Sequence, residues 1–430
     1  VNSDPAVRPD SGVRKVLVLG ADGFIGRHIA FHLRAEGWDV LASARRTTRL
    51  ARMGFATFTA DLSDPKSHSP KFWNDAASGR VVVNAAGLLT ASEARFRAVH
   101  VDAPRAAYIH AEGGVLISAV GIEADTPFAR WRREGEGVAH EASLTILRPG
   151  LVMADTSYGG TSLLRGLATL PFGTPMIGDG SQIFNPIHAA DLARVVAECL
   201  QAPPGPGPWD IGGPTRITQR HLLQDLRGWF GLPETRAVPM SSTLANAGGA
   251  VGDALNMGPI SRTAVSQISH GVEADEGPLM ARLKTRPRGV DQFLTARPAG
   301  TQDLWHARLF LLRPMIRLTL ALLWLMSGLL GLFLPADQFL PMTAHLSAPD
   351  WVWIALARGG GLADLAIALA LARNWRPRVT GAAQLALVGG YTLAFTLIAP
   401  ALWLLPLGGL LKNLPILLLI AVWLVLEDER

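Results

Sequence analysis

One cysteine, Cys199, is the only thiol among the 430 residues. An intrachain disulfide and any cysteine-based metal cluster are thereby excluded, and a buried, inert thiol is the expected role. No metal-ligand spacing surrounds His188, and no metal is expected. The net charge of +5 and the pI near 9.8 are not accompanied by a basic stripe interleaved with stacking aromatics, which argues against nucleic acid as a partner. The stretch Val1–Gly12 is polar, contains Pro5 and Pro9 and lacks an apolar signal core, so this end is expected to stay in the cytoplasm. Charge itself nearly vanishes from Leu318 onward, where Leu, Ala, Gly and Trp dominate. The mean hydropathy of +0.24 is therefore an average over two different solvents.

That second solvent is a bilayer. Leu318 to Ala336 carries no charge, and about 20 apolar residues in a helix cross the hydrocarbon layer. Further spans are expected from Trp351 to Ala372, from Val379 onward, and ending at Leu426. The run from Val379 to Leu411 is too long for one crossing and is divided by Pro400 and Pro406, which gives four spans. Many cations lie between Arg282 and Arg317, and Arg373, Arg376 and Arg378 follow span two, whereas the loop from Asp337 to Asp350 has no Lys or Arg. The positive-inside rule then places the soluble part and both termini in the cytoplasm, on an inner, multi-pass membrane protein. Lys412 is the misfit and has to snorkel to the interface. Arg358 and Asp364 fall inside span two and are expected to face the bundle interior, as a structural pair or as a proton or quinone-head-group site.

Near the other end, the apolar strand Lys15–Leu19 leads into Gly20-Ala21-Asp22-Gly23-Phe24-Ile25-Gly26 and an amphipathic helix reaching about Glu36. Gly20 permits a tight turn, Gly23 lets backbone approach a pyrophosphate, and Gly26 lets helix and strand pack closely. Free N–H groups and a positive dipole end then face the phosphates. The second strand, Asp39–Ala42, runs into Ser43-Ala44-Arg45-Arg46, where an NAD-preferring domain carries a carboxylate. Arg45 and Arg46 instead suit a 2′-phosphate, so NADP(H) is expected, with NAD as the alternative. Further strands are expected at Ala56–Ala60, Val81–Asn84, Val115–Ser118 and Leu144–Leu147, with helices between. The fold class read from this is α/β: a doubly wound parallel Rossmann sheet followed by a four-helix transmembrane bundle. Asp61, with Leu62 beside it, is placed to reach the adenine edge, and Ala85, Ala86 and Gly87 put small residues where cofactor and backbone come close.

These residues resemble the short-chain dehydrogenase/reductase superfamily in its extended or atypical, epimerase/dehydratase-like branch. The likeness runs through Asn84-Ala85-Ala86-Gly87, Ile117-Ser118-Ala119, Leu147-Arg148-Pro149-Gly150, Gly178-Asp179-Gly180-Ser181 and Asp210-Ile211-Gly212-Gly213-Pro214, over roughly the first 230 residues. The resemblance implies a Tyr-x-x-x-Lys pair for proton chemistry, a serine at the fifth strand's end, and Pro149 at the cofactor. Ser118 fits the serine, but Phe128 and Arg132 stand at the tyrosine and lysine positions. Phenylalanine cannot act as general acid or base, while Arg132 keeps a charge able to hold the nicotinamide ribose. Tyr108 and Tyr158 lie outside the expected spacing. His188 and Asp191 could line a substrate pocket, but a supporting role for Asp191 and a half-buried His188 are preferred. Arg313-Pro314, Trp324, Arg358-Gly359-Gly360-Gly361 with Asp364, Pro406-Leu407-Gly408 and Lys412-Asn413-Leu414-Pro415 resemble the DoxX-like membrane family.

The resulting organisation is a polar tail (1–12), an NAD(P)-binding domain (13–300) whose substrate-side subdomain spans 151–300, and a four-span domain (301–430). Three functions are carried forward: a membrane-tethered NADP(H) oxidoreductase with a small or lipid-soluble substrate such as a quinone; a non-catalytic nucleotide-binding module with a membrane protein partner; and a nucleotide-sugar epimerase or dehydratase, disfavoured by Phe128.

Overall fold

The computed structural model describes residues 14–257 and 260–428. The tail Val1–Gly12 and the last two residues, Glu429 and Arg430, lie outside the described residues. Two compact units result: Val1–Gly249 with Arg262–Asp303, and Ala250–Ser261 with Leu304–Arg430. The second unit thus takes in a short stretch of chain well before residue 300.

The first unit is built on a seven-stranded sheet. Six strands alternate with helices: β1 (Lys15–Leu19), β2 (Asp39–Ala44), β3 (Ala56–Thr59), β4 (Val81–Asn84), β5 (Gly114–Ile117) and β6 (Thr145–Pro149). With the short strand Trp209–Ile211 at one edge, the spatial order is Trp209–Ile211, β6, β5, β4, β1, β2, β3, every neighbouring pair parallel. The order reverses beside β1, so a crevice opens at the carboxyl ends of β1 and β4, where such sheets bind ligands. Side chains alternate across a strand. Val16 and Val18 pack with Ile29 and Leu33 of helix α1 (Phe24–Ala35) and with Leu192 and Val196. Leu17 and Leu19 join Trp73, Ala103 and Val138 on the opposite face. Both faces are covered, as an all-parallel sheet requires.

The strands expected from the sequence are present, β1 and β4 with the expected ends and the others within two residues of them. The Trp209–Ile211 strand is too short to show a period of two. Residues after β6 form a smaller layer of paired two- to four-residue strands around Met153, Leu164, Phe184, Leu222 and Phe293. The weakly periodic stretch after Met240 contains short helices, among them Ser242–Ala254 and Arg262–His270.

The second unit has four helices long and apolar enough to cross a membrane: Thr301–Phe333, Asp350–Ala372, Pro377–Ile398 and Gly409–Leu426. The first begins well before the expected Leu318 and continues through Pro314. Between the third and the fourth, 3-10 turns at Pro400–Leu404 and Pro406–Lys412 interrupt the α-helical bonding at proline, and the second of them runs into the fourth span, which is α-helical from Asn413. Inside lie Leu320, Trp324, Leu371, Ile420 and Trp423, while Leu322, Leu330, Leu369, Leu397 and Leu418 point outward. Apolar side chains facing out suit lipid, not water. Lys412 is exposed, as snorkelling needs. Small residues bring the first two helices into backbone contact: a Cβ on Gly331 would lie 2.8 Å from the Gly361 Cα. Of the two expectations for Arg358 and Asp364, the structural pair is not formed, because each has partners of its own. Arg358 donates to the carbonyls of Gly331 and Leu334, both at 2.9 Å, because those carbonyls end the first apolar helix and lack helical partners. Asp364 is met by Ser327 and Tyr391.

Candidate nucleotide-binding site

The first β–α turn is shaped by contacts that only glycine permits. Gly20 has φ +75°, and a Cβ there would sit 2.9 Å from the backbone of Ala86. A Cβ on Gly26 would fall 2.2 Å from the Gly20 carbonyl oxygen. Gly23 caps α1 with extended backbone and no side-chain cap. The amides of Phe24, Ile25 and Gly26 therefore open the helix without side-chain partners, the arrangement that binds a diphosphate. Ala85 and Ala86 line the facing side of the turn, positioned by Asn84. Its Oδ1 accepts from the Ala86 amide at 3.0 Å, and its Nδ2 donates to the Tyr108 hydroxyl at 2.7 Å.

At the outer strands, Arg45 and Arg46 follow β2 and are exposed. Asp61 follows β3. Partial burial raises its pKa, but hydrogen bonds from the Ser63 side chain and amide, with the charges of Arg45 and Arg95, hold it below the ordinary carboxylate value. Arg45 and Asp61 are thus brought together. Leu62 is turned into the core beside Leu17 and Trp73, and Asp22 lies 3.7 Å from Arg49.

On the opposite side, Ser118 follows β5 directly, with its hydroxyl buried and, among the described residues, without a hydrogen-bond partner. Its amide donates to the Leu147 carbonyl, and the Pro149 carbonyl accepts from Val120, so β6 fixes this corner. Phe128 and Arg132 lie one turn apart on the Pro127–Glu141 helix. Phe128 is buried with Phe96, Ile122 and Ala129. Arg132 reaches back under the site: it donates to the Ile117 carbonyl at 3.1 Å, and its guanidinium lies against Gly87, where a Cβ would be 2.3 Å away. Burial lowers its pKa to about 10 against the opposing pull of Glu136. Tyr108 is fully inside, and burial raises its pKa above the ordinary phenol value. A phenol held by Asn84 beneath the turn is poorly placed to serve a substrate.

Tyr158 lies outside the expected spacing, yet its ring stacks on Phe24 with centroids 6.3 Å apart and remains half exposed. Beside them, His28 is 3.4 Å from the Thr156 hydroxyl, and His188 lies 3.8 Å from Asp155. Burial, then the charges of His188 and Arg27, lower the pKa of His28. His188 caps its helix by accepting from Ala190 at 3.2 Å and is buried rather than half-buried, because Phe293 covers its ring. Asp191 is fully buried; beyond its place in the helix's first turn, it binds the Arg288 amide at 2.9 Å and Arg194 at 2.6 Å. Its support therefore extends to chain 97 residues away. His100, unremarked in the sequence, sits in a π-helical turn at Ala98–Asp102. Among the described residues no group of three or more His, Cys, Asp or Glu side chains is arranged for a metal.

A glycine-opened helix at the switch point of a seven-stranded parallel sheet defines a Rossmann-type nucleotide-binding domain. Residues 16–100 match the NAD dependent epimerase/dehydratase family, and residues 321–421 match the DoxX-like family. The chain thus joins an epimerase/SDR-like NAD-binding domain to a DoxX-like membrane domain. An epimerase family protein of Arabidopsis thaliana, the chloroplastic SDR39U1 homolog, is 25% identical over 258 residues, covering 52% of this chain and 73% of that one. Among solved structures, MoeE5 in complex with UDP-glucose and NAD is 19% identical with a TM-score of 0.49, over 68% of this chain and 99% of that one. The UDP-glucose 4-epimerase of Thermotoga maritima is 16% identical with a TM-score of 0.44, over 52% and 85%.

Proposed function

We propose that this protein is a membrane-tethered oxidoreductase that uses NADP(H), with NAD as the alternative, and serves a lipid-soluble acceptor such as a quinone. The observation that carries this reading is Phe128: the nucleotide cradle is intact, but the position that would supply a proton has no hydroxyl. General acid–base assistance is worth roughly 100- to 10,000-fold, so carbonyl reduction and sugar epimerisation suffer most from its loss. A quinone is less dependent on it, because its reduced oxygens draw protons from water.

In this reading the amides of Phe24, Ile25 and Gly26 hold the diphosphate, Ala85 and Ala86 keep the turn narrow, and Asp61 flanks the adenine side while Leu62 anchors that loop in the core. Arg45 and Arg46 favour a 2′-phosphate. Ser118 offers a hydroxyl at the reacting end, Pro149 shapes the same corner, and Arg132 stiffens it through Ile117. A nicotinamide dinucleotide bound there supplies hydride. The soluble unit and both termini face the cytoplasm. Support for that orientation is internal to the bundle: Glu427 lies 3.9 Å from Arg313 and Asp428 lies 3.0 Å from Arg378, which gathers the basic loops and the C-terminal residues at one end.

The test is full-length protein in detergent mixed with NADPH and a set of quinones, with a Gly23→Ala variant as control. Acceptor-dependent NADPH oxidation above the control supports the proposal; none above it overturns it. A second reading, a non-catalytic nucleotide module engaging a membrane protein partner, is favoured by the internal bonds that hold Tyr108 and Arg132. Tightly retained nucleotide without turnover would select it. The family match at residues 16–100 favours a third, epimerisation or dehydration of a nucleotide-linked sugar, which a nucleotide-sugar assay tests directly.

A further inference from the structure

Asp364 is 4% exposed in the second membrane helix. One carboxylate oxygen accepts from the Ser327 hydroxyl of the first helix at 2.6 Å, the other from the Tyr391 hydroxyl of the third at 3.0 Å. The cation on its own helix, Arg358, is directed to the carbonyls of Gly331 and Leu334. The remaining charged groups on the packed helices lie away from it in sequence: Asp303, Arg308, Arg313 and Arg317 precede the apolar part of the first helix, Asp350 opens the second, Arg378 lies in the first turn of the third, and Lys412, Glu427 and Asp428 flank the fourth. No cation among the described residues forms an ion pair with Asp364. A bare carboxylate in such surroundings is costly, whereas a neutral carboxyl is far less so.

We propose that Asp364 is a proton-binding site of the bundle, a function beyond the redox reading of the soluble unit and independent of it. Both its partners are hydroxyls, which donate or accept as required. With the carboxylate charged, both donate. When a proton adds to the carboxylate oxygen that faces Ser327, that oxygen donates to the hydroxyl, which rotates and gives its own hydrogen to a carbonyl one turn back on its helix. The heavy atoms keep their places in both states. The surrounding glycines make this possible. Gly360 leaves room for the phenol, since a Cβ there would be 3.1 Å from the Tyr391 oxygen, and the contacts of Gly328, Gly331 and Gly361 close the first two helices around the carboxyl. A second buried polar group lies nearby in the same core: Gln384 accepts from the Trp324 indole at 2.9 Å, while its amide nitrogen is enclosed without a partner among the described residues. Trp324 and Ser327 are three residues apart on one helix, Gln384 and Tyr391 seven apart on another, so the two polar groups share one seam.

The experiment uses full-length protein in lipid nanodiscs treated with dicyclohexylcarbodiimide, which attacks protonated carboxyls in apolar surroundings, with adducts located by mass spectrometry. The expected result is an adduct at Asp364 that falls about tenfold per pH unit above its midpoint, is absent in Asp364→Asn, and shifts its midpoint in Tyr391→Phe. Infrared spectra of the same samples, which need no reagent access, should contain a protonated-carboxyl band that vanishes in Asp364→Asn. Absence of that Asp364-dependent band at every pH where the protein stays folded overturns the proposal. So does an adduct at Asp364 whose yield is unchanged by pH.

Discussion

Gly23 and Gly26 stand three residues apart and tolerate change very differently. A methyl on Gly23 meets only the Gly20 carbonyl at 3.1 Å, whereas one on Gly26 would overlap it at 2.2 Å. Gly23→Ala should therefore fold, losing about 1 kcal/mol or less, but bind dinucleotide at least about tenfold more weakly by crowding the phosphates. Gly26→Ala should lose more than about 2 kcal/mol; chemical unfolding beside calorimetric titration separates the two effects. His100 yields a pH prediction. Burial, then the charge of Arg132, lowers its pKa from 6.5 to about 3. Between those values the unfolded chain binds a proton that the folded chain refuses, so stability from this group is complete above pH 6.5 and declines as pH falls. The slope is at most about 1.4 kcal/mol per pH unit, and His100→Gln should flatten it in unfolding curves measured at several pH values. The glycines were legible in the sequence because their constraint is local. The Asn84–Tyr108 and Arg132–Ile117 bonds were not, since 24 and 15 residues separate the partners and only the folded sheet brings them together.

Among the elements, legibility followed length and contrast. β1 and β4 were readable to the residue because buried parallel strands are unbroken apolar runs. Trp209–Ile211 and the short helices after Met240 offered too few residues for a period to emerge. The membrane helices were visible from composition, yet their packing was not. The Arg358-Gly359-Gly360-Gly361 run shows why: its glycines look alike in sequence and differ in space. Gly361 touches the backbone of the first helix, while a Cβ at Gly359 would meet nothing within 4 Å. Gly361→Leu should destabilise the bundle by about 1–3 kcal/mol through overpacking, and Gly359→Ala should be neutral or slightly stabilising. Thermal unfolding in detergent, followed by the fluorescence of the buried Trp324 and Trp423, checks both.

For the whole molecule, the orientation is open to direct labelling. Cys199 is 1% exposed, and burial pushes its thiol up to about 12, so the native background should be silent. Cysteines introduced as Arg373→Cys and His345→Cys should react with an impermeant maleimide from opposite faces, the first only from the cytoplasmic side; labelling of both from one side would refute the topology. The division of the chain has a practical consequence too. Residues 250–261 belong with the membrane unit: Arg317 donates to the Leu255 carbonyl, and Asn256 donates to that of Arg373 at 3.2 Å. A recombinant fragment ended near residue 300 would carry that segment away from its partners and leave apolar surface such as Met257 and Ile260 uncovered. Its aggregation would say nothing about whether the nucleotide domain is a sound folding unit, and replacing the segment by a polar linker is the better way to obtain that domain in solution.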